Sequence, residues 1–201
     1  MAISFLGALR RPDGPDREFV QRCARALEDL RAMSDVDLLA ALADPRQLHG
    51  TLHRDLAPAG SPELAGNFRG SDFATLRDAI VFYSFNDAQG TTAIAGPHRV
   101  PELMVQYAGL VQEHGLRRFA SVDDKLLTVA AIMAFFGVIH PFVDGNGLVQ
   151  RLTAQCLLER GGLVMAPAWR AHPCPYGEDM HRALAARDER AVAAKLKGFV
   201  A

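Results

Sequence analysis

Cysteine is scarce in this chain of 201 residues. The three cysteines, Cys23, Cys156 and Cys174, are odd in number and have no CxxC spacing, so neither a disulfide framework nor a cysteine-based zinc site is indicated. Unpaired thiols suit a reducing compartment. We therefore expect a cytoplasmic protein.

An excess of charge and long apolar runs are lacking as well. The formal net charge is −1, which provides no overall positive field to recruit nucleic acid. The longest apolar stretch, residues 126–139, is too short to span a bilayer. Arg10 and Arg11 follow the apolar start of the chain, the reverse of the charge order in a secretory signal. We expect no direct nucleic-acid binding, no membrane association and no targeting segment.

Helical periodicity dominates what is present. Apolar residues recur at helical spacing in residues 16–32, and Ser34 is a predicted N-cap for the helix that follows. Ser121 and Asp124 form an approximate capping box before the stretch at 126–139, which is apolar on nearly every face. That stretch is therefore predicted to be the central helix.

Strand signals occur in one place. The segment AIVFYSF, residues 79–85, is rich in β-branched and aromatic residues, and TTAIAG, residues 91–96, follows a short polar turn. This pattern predicts a β-hairpin. Because two strands alone are only marginally stable, we expect an all-α class of fold in which a helical bundle carries a single hairpin.

The most polar and glycine-rich stretch, HPFVDGNGLVQR at residues 140–151, lies between two apolar helical segments. Gly145 and Gly147 allow the backbone to take positive φ, so successive amides can face one point. The helix that follows aims its free N–H groups and its dipole at the same point. Arg151, one turn further on, can reach a second anionic group. The spacing predicts a polyphosphate site.

Two further residues of this stretch indicate metal binding and proton transfer. Asp144 would repel phosphate unless a hard cation such as Mg²⁺ is shared between them, which favours a metal-bound nucleotide. His140 ends the preceding helix, and an imidazole there can accept a proton from a hydroxyl. The alternative is purely structural, because the same residues are also good turn chemistry between two helices.

The stretch resembles the signature of the Fic (filamentation induced by cAMP) family, HPFx(D/E)GNGRxxR, which it departs from once, at Leu148. LHRDL and LAGNFR, upstream, resemble the LHR and WAGxxR elements of that family, and TTAIAGPHRVPELM is similar to its flap. The resemblance implies one Fic-type domain over 1–201, a helical bundle with a β-hairpin flap over the active site. N-terminal helices would occupy 1–47, the Fic core 48–162 and C-terminal helices 163–201.

The resemblance also implies a function. Most family members transfer a nucleoside monophosphate, commonly AMP from Mg-ATP, to a Ser, Thr or Tyr hydroxyl of a target protein. By matching position, His140 would deprotonate the hydroxyl and Asp144 would hold Mg²⁺. Phosphates would be held by Gly145, Asn146, Gly147 and Arg151. In the flap, Thr91, Thr92 and Ile94 could bind the main chain of the target as an added strand.

Leu148 and a missing segment qualify this expectation. The family has a phosphate-binding arginine where this chain has Leu148, so another donor, or nucleotide or partner binding without turnover, remains an alternative. The inhibitory (S/T)xxxE(G/N) helix of many relatives has no match here. We therefore expect a separate antitoxin-like inhibitor, while the target, the oligomeric state and delivery into another cell are left open.

Other histidines and cysteines are interpreted as structural. His49 and His53 are four residues apart on a predicted helix, a metal-binding spacing without a third ligand. His172 and Cys174 lie in the segment HPCP, with His181 further on, and the prolines and the lack of a paired motif favour a surface turn over a zinc site. The single tryptophan, Trp169, is predicted to pack the C-terminal helices.

Overall fold

A computed structural model describes residues 17–81, 83–84, 91–92 and 94–201. Helices make up most of the described chain, as the sequence predicts. Their bounds are α1 Arg17–Ala32, α2 Asp35–Ala43, α3 Arg46–His53, α4 Ala74–Arg77, α5 Val100–His114, α6 Val122–Ile139, α7 Asn146–Arg160, α8 Glu178–Ala185 and α9 Glu189–Lys197. Short 3₁₀ turns lie at Arg54–Leu56, Pro62–Leu64 and Pro97–Arg99.

Serine caps start two of these helices where the sequence predicted them. The Ser34 hydroxyl accepts a hydrogen bond from the Asp37 amide at 3.2 Å, and the Ser121 hydroxyl accepts one from the Asp124 amide at 3.1 Å. Each cap satisfies an amide that has no partner within its helix. A cap of this kind contributes about 1 kcal/mol, so local sequence fixes where α2 and α6 begin.

Helix α6 is the centre of the bundle. It packs against α5, α7, α8 and α9, and Val129, Phe136 and Ile139 along it are buried. Full burial of such a side chain stabilises the fold by about 1.5–3 kcal/mol. Helix α7 is buried along almost its whole length against α6. The segment that joins these two helices is therefore held at both ends by the core.

Two short strands form an antiparallel pair outside the bundle. Strand β1, Tyr83–Ser84, pairs with β2, Thr91–Thr92, with Tyr83 opposite Thr92 and Ser84 opposite Thr91. The predicted pairing of these two segments is thus present. The turn that would join them lies outside the described residues, and the position of the hairpin over the active site stays a prediction.

A small apolar cluster separate from the main core lies near the ends of these strands. Ile94 is half-buried and packs against it. The cluster brings residues before β1 together with Val143, which lies between the candidate residues His140 and Asp144. Its buried members are Leu64, Leu76, Ala79, Val81 and Val143.

None of the described helices is both long and apolar enough to cross a bilayer.

Candidate active site

The predicted site lies in the loop between α6 and α7, residues 140–145, which we call the motif loop. His140 caps the C-terminus of α6 in the left-handed conformation, with φ 48° and ψ 60°. Gly145 is the N-cap of α7 and is also left-handed, with φ 76°. These two residues turn the chain between the carbonyl end of α6 and the amide end of α7, which are only a few residues apart.

Arg69 holds the first end of the motif loop. Its side chain is 1% exposed, and its Nε and Nη2 donate to the carbonyls of His140 and Ile139, each at 2.9 Å. Its backbone amide donates to the Pro141 carbonyl at 2.8 Å. The last carbonyls of a helix carry partial negative charge, so a buried cation is stabilised there. Burial lowers the pKa of Arg69 to about 10, and the guanidinium is therefore still charged at neutral pH.

The same guanidinium joins the motif loop to both ends of the strand pair. Arg69 Nη1 donates to the Ala79 carbonyl, before β1, and Nη2 donates to the Ala95 carbonyl, after β2, each at 3.0 Å. The Ala95 amide donates in turn to the Val138 carbonyl of α6 at 3.1 Å. One buried side chain thus fixes the base of the hairpin relative to His140.

His140 is held as a neutral imidazole. Its Nδ1 is shielded from solvent, although the residue as a whole is half-buried. Burial lowers the pKa of His140 to about 4; the nearby Arg69 charge lowers it further, and the Gly137 backbone opposes both effects. A neutral imidazole at pH 7 can accept a proton. This protonation state is the one that a general base requires.

Asn146 closes the motif loop from inside. Its side-chain Oδ1 accepts from the Phe142 amide at 2.9 Å, and its Nδ2 donates to the Phe142 carbonyl at 2.8 Å. The residue is 3% exposed. Because both ends of the side-chain amide bond to the loop, any phosphate contact of Asn146 is left to its backbone N–H. Phe142 is fully buried in the main core cluster.

Gly145 is required by space as well as by its dihedral angles. A Cβ at this position would clash with His53 Nε2 and would lie 3.0 Å from His49 Nε2. Both histidines belong to α3, so α3 packs directly against the start of α7. Glycine is the residue that takes positive φ without a steric cost, and here it also permits the close approach of the two helices.

Arg151 lies over the first turn of α7. Its Nη1 is 3.0 Å from the position that a Cβ on Gly147 would occupy. Its Nε donates to the Ala171 carbonyl at 2.7 Å, and the guanidinium carbon is 5.8 Å from the centre of the Tyr176 ring. Among the residues that the structure describes, no carboxylate pairs with Arg151. Its charge therefore adds to that of the N-terminal amides of α7.

Asp144 is the carboxylate of the motif loop. Its Oδ1 accepts from the Gly145 amide at 2.7 Å. Within the described ranges, no three His, Cys, Asp or Glu side chains are grouped as a metal site. Magnesium bound with a nucleotide needs one or two carboxylates and takes its other ligands from phosphates and water. The loop therefore fits a magnesium–nucleotide complex and does not fit a stand-alone metal centre.

Leu148 packs into the core. It is 5% exposed and belongs to the main hydrophobic cluster. This position of the motif therefore adds apolar surface to the core and carries no charge.

The three predicted flap residues are only partly placed. The backbones of Thr91 and Thr92 form β2, and Ile94 packs on the small apolar cluster. A bound target strand would pair with the backbone of β2. The described contacts do not test this pairing, so recognition of the target main chain stays a prediction.

The other histidine and cysteine candidates form no metal group in the described chain. Cys174 Sγ lies 3.9 Å from His181 Nε2 on an exposed segment. Trp169 is buried, and its indole N–H donates to Gln155 Oε1 at 3.1 Å, while its ring packs edge-on against Phe199. The interpretation of Trp169 as a packing residue is confirmed.

Sequence reasoning assigned no role to Arg69 or Tyr176. Arg69 ends the LAGNFR element, so a signal was present, but its bonds reach residues about 70 positions away. Tyr176 follows two prolines in an irregular segment and gave no signal. Both residues act through tertiary contacts that local spacing does not reveal.

Comparison with known proteins was made by sequence and by structure. The sequence model of the Fic/DOC family matches residues 38–158 of this chain. These residues include α3, α6, the motif loop and most of α7. A comparison with curated proteins finds no significant match.

Solved structures share the fold at low sequence identity. The BepC protein, a VirB-translocated effector of Bartonella tribocorum solved with bound AMPPNP, has a TM-score of 0.59 at 12% identity and covers 97% of this chain and 96% of its own. The N-terminal Fic domain of a cell filamentation protein from Bartonella quintana has a TM-score of 0.58 at 13% identity, covering 97% and 92%. A Fic family protein from Desulfovibrio desulfuricans has a TM-score of 0.56 at 22% identity, covering 92% and 50%. These likenesses establish the mainly helical Fic-type fold.

Proposed function

Because the chain belongs to the Fic/DOC family, we propose that it is a protein nucleotidyltransferase. It would transfer a nucleoside monophosphate from Mg-ATP to a Ser, Thr or Tyr hydroxyl of a target protein. The observation that carries this proposal is the convergence at the start of α7. The N-terminal amides of the helix and the Arg151 guanidinium, whose Nη1 lies over Gly147, are both at the first turn of α7, and the motif loop before this turn begins with a neutral His140.

The proposed reaction is a displacement at the α-phosphorus. The target hydroxyl oxygen bonds to phosphorus, the bond to the β-phosphate oxygen breaks, and pyrophosphate leaves. The hydroxyl proton passes to His140. Since Nδ1 of this histidine is shielded, Nε2 is the nitrogen assigned to receive it. Transfer of this kind depends mainly on positioning and on charge stabilisation.

The remaining motif residues would bind the donor. Backbone amides of Asn146 and Gly147 would contact the phosphates, with Gly145 as the turn that aims them, and Arg151 would bind the distal phosphate. Asp144 would hold Mg²⁺, which neutralises phosphate charge when bound. The likeness to a structure solved with bound AMPPNP supports a nucleotide as the ligand.

Leu148 supports a second candidate. A charge-assisted contact to phosphate contributes roughly 1.5–3 kcal/mol, so its loss lowers phosphate binding by about one to two powers of ten. The second candidate is therefore a family member that uses another nucleotide donor, or one that binds nucleotide or a partner without turnover.

We also propose that inhibition, if present, comes from a separate antitoxin-like protein. Arg151 pairs with no carboxylate among the described residues, whereas an inhibitory glutamate would occupy that guanidinium. The isolated chain should therefore bind Mg-ATP and show a higher melting temperature with it. Absence of any shift at saturating Mg-ATP would count against an open Arg151.

Labelled nucleotides test the proposed function directly. The protein is incubated with a cell lysate and with ATP, GTP or UTP labelled at the α- or the γ-phosphate, beside the His140→Ala variant. Protein-bound label from the α-position that disappears in the variant supports nucleotidyl transfer. Label from the γ-position indicates a kinase, and nucleotide binding without any label supports the binding-only candidate.

A further inference from the structure

His49, at the centre of α3, connects two segments that are distant in sequence. Its Nδ1 accepts a hydrogen bond from the Gly66 amide at 2.9 Å, and its Nε2 lies 3.0 Å from the Asp144 carbonyl oxygen. The residue is 0% exposed. The structure therefore shows a bridge of one imidazole between the LAGNFR segment and the motif loop.

The two bonds fix the tautomer of this imidazole. Because the Gly66 amide is a donor, Nδ1 must be unprotonated to accept from it. The Asp144 carbonyl is an acceptor, so Nε2 must carry the proton and donate it. His49 is thus neutral, with one nitrogen in each role, and no other common side chain of this size and ring shape offers both.

The side of the bridge at Gly66 is rigid. A Cβ on Gly66 would lie 3.1 Å from the Arg46 carbonyl oxygen and 3.3 Å from Gly50 Cα, so the backbone of this segment is in direct contact with α3. Gly66 also has positive φ, 87°. The Gly66 amide is therefore held in place by the same helix that carries His49.

Packing fixes the ring of His49 in the same way. It stacks on Phe142 with a centroid distance of 3.8 Å and an interplanar angle of 9°, and Phe142 is itself clamped by Asn146. A rigid ring that donates to the Asp144 carbonyl sets the backbone of that residue. The backbone in turn sets the direction of the Asp144 carboxylate.

We propose that His49 is a positioning residue that orients Asp144 towards the metal-bound phosphates. The inference rests on the proposed function for the role of Asp144, and it assigns to His49 no contact with the substrate. In metal sites, loss of a group that orients a ligand typically lowers metal affinity or activity by about 10–100-fold.

Two substitutions separate the two bonds of His49. Gln places an amide near Nε2 of the replaced ring, so His49→Gln keeps a donor for Asp144 and loses the acceptor for Gly66. Asn places its amide near Nδ1, so His49→Asn keeps the acceptor and loses the donor. Both variants remove the stacked ring, which makes them matched in packing. His49→Phe keeps the stack and loses both bonds.

Transferase activity is measured against Mg²⁺ concentration for the full chain and the three variants. We expect the half-saturating Mg²⁺ concentration to rise about tenfold in His49→Asn and His49→Phe, and to stay within about twofold of the wild type in His49→Gln. Thermal melts of each variant give its folded fraction. An equal change in His49→Asn and His49→Gln, or none in either, overturns the proposal.

A second measurement does not depend on activity. The Gly145 amide donates to the Asp144 carboxylate, so its hydrogen-exchange protection, measured by NMR, reports whether that bond is kept. Protection should fall in His49→Asn and His49→Phe and should stay near its wild-type value in His49→Gln. If the wild type transfers no label, the proposed function fails, while the protection of this amide still decides the role of His49: unchanged in all three variants, it overturns the proposal.

Discussion

The first end of the motif loop is held by a cation, whereas the second end is held by neutral groups. At the α6 end, the Arg69 guanidinium binds the carbonyls of Ile139 and His140. At the α7 end, the loop is bonded by the neutral amide of Asn146 and the neutral imidazole of His49. This difference follows the polarity of the two helices.

A helix C-terminus carries partial negative charge and a helix N-terminus partial positive charge. The chain satisfies the negative end of α6 with its own buried arginine. At the positive end of α7, no described contact comes from an acidic side chain outside the motif loop. Arg151 instead adds further positive charge there, over Gly147. One end is thus complete without a ligand, and the other is suited to an external anion.

The largest expected effect comes from removing the cation of the first end. Arg69→Met leaves carbonyls of Ala79, Ala95, Ile139 and His140 without their donor, and it should lower the free energy of unfolding by about 3–5 kcal/mol. Urea denaturation measures the change. Arg77→Met is the matched control, because Arg77 is exposed and donates to one carbonyl, and it should change stability by no more than about 0.5 kcal/mol. Equal losses in the two variants would contradict the clamp.

The second prediction concerns the packing at the other end. Gly145→Ala combines a left-handed backbone, which costs an L-residue roughly 1–2 kcal/mol, with a clash against His53. Gly162 has a similar φ of 83° with nothing within 4 Å of its Cβ position, so Gly162→Ala isolates the backbone cost. Urea denaturation should show a larger loss for Gly145→Ala. Adding His53→Ala should recover part of the difference, and failure to recover any would show that the contact is not the cause.

The third prediction tests the anionic character of the ligand at the second end. Arg151→Met removes one charge-assisted phosphate contact of roughly 1.5–3 kcal/mol, so kcat/KM for Mg-ATP should fall by about 10- to 100-fold. Arg118→Met, at an exposed arginine between α5 and α6, should stay within about twofold of the wild type. Steady-state kinetics at several ionic strengths measure kcat/KM for the two variants. An unchanged kcat/KM in Arg151→Met would show that Arg151 does not bind the distal phosphate.

The last prediction is a gradual dependence of stability on pH. Burial lowers the pKa of His140 to about 4 and that of His53 to about 3, from 6.5. Between pH 6.5 and 4 the unfolded chain therefore binds protons that the folded chain does not, so stability is present above pH 6.5 and is lost as the pH falls through this window. Each histidine adds up to about 1.4 kcal/mol per pH unit.

Urea denaturation at several pH values between 7.5 and 4.5 measures this slope. His53→Gln should reduce it by up to one proton. A slope that is equal in the wild type and in His53→Gln would show that His53 titrates alike in both states.

Local sequence predicted the parts of this molecule that local chemistry determines. Ser34 and Ser121 cap their helices as expected, the apolar stretch became the central helix, and the motif loop lies between α6 and α7. The bonds that orient the loop could not be predicted, because Arg69 and His140 are 71 residues apart and His49 and Asp144 are 95 apart. Such pairs depend on how α3 packs against α7, which no local pattern encodes.

Asn146 illustrates the same limit within the motif. The resemblance to the family implied that Asn146 binds phosphate. The structure bonds its side chain to Phe142, so the amide that remains for a phosphate belongs to its backbone. Residue identity alone could not distinguish a side-chain ligand from a loop clamp.

The most direct test of the account is an amide NMR titration of the full chain with AMPPNP and Mg²⁺. Resonances of the Asn146 and Gly147 amides should shift in a saturable manner and should shift less in Arg151→Met at the same concentration. Pyrophosphate with Mg²⁺ should compete for the same amides. If saturating nucleotide leaves these amides unmoved, or moves only residues remote from the start of α7, the anion site proposed here does not exist.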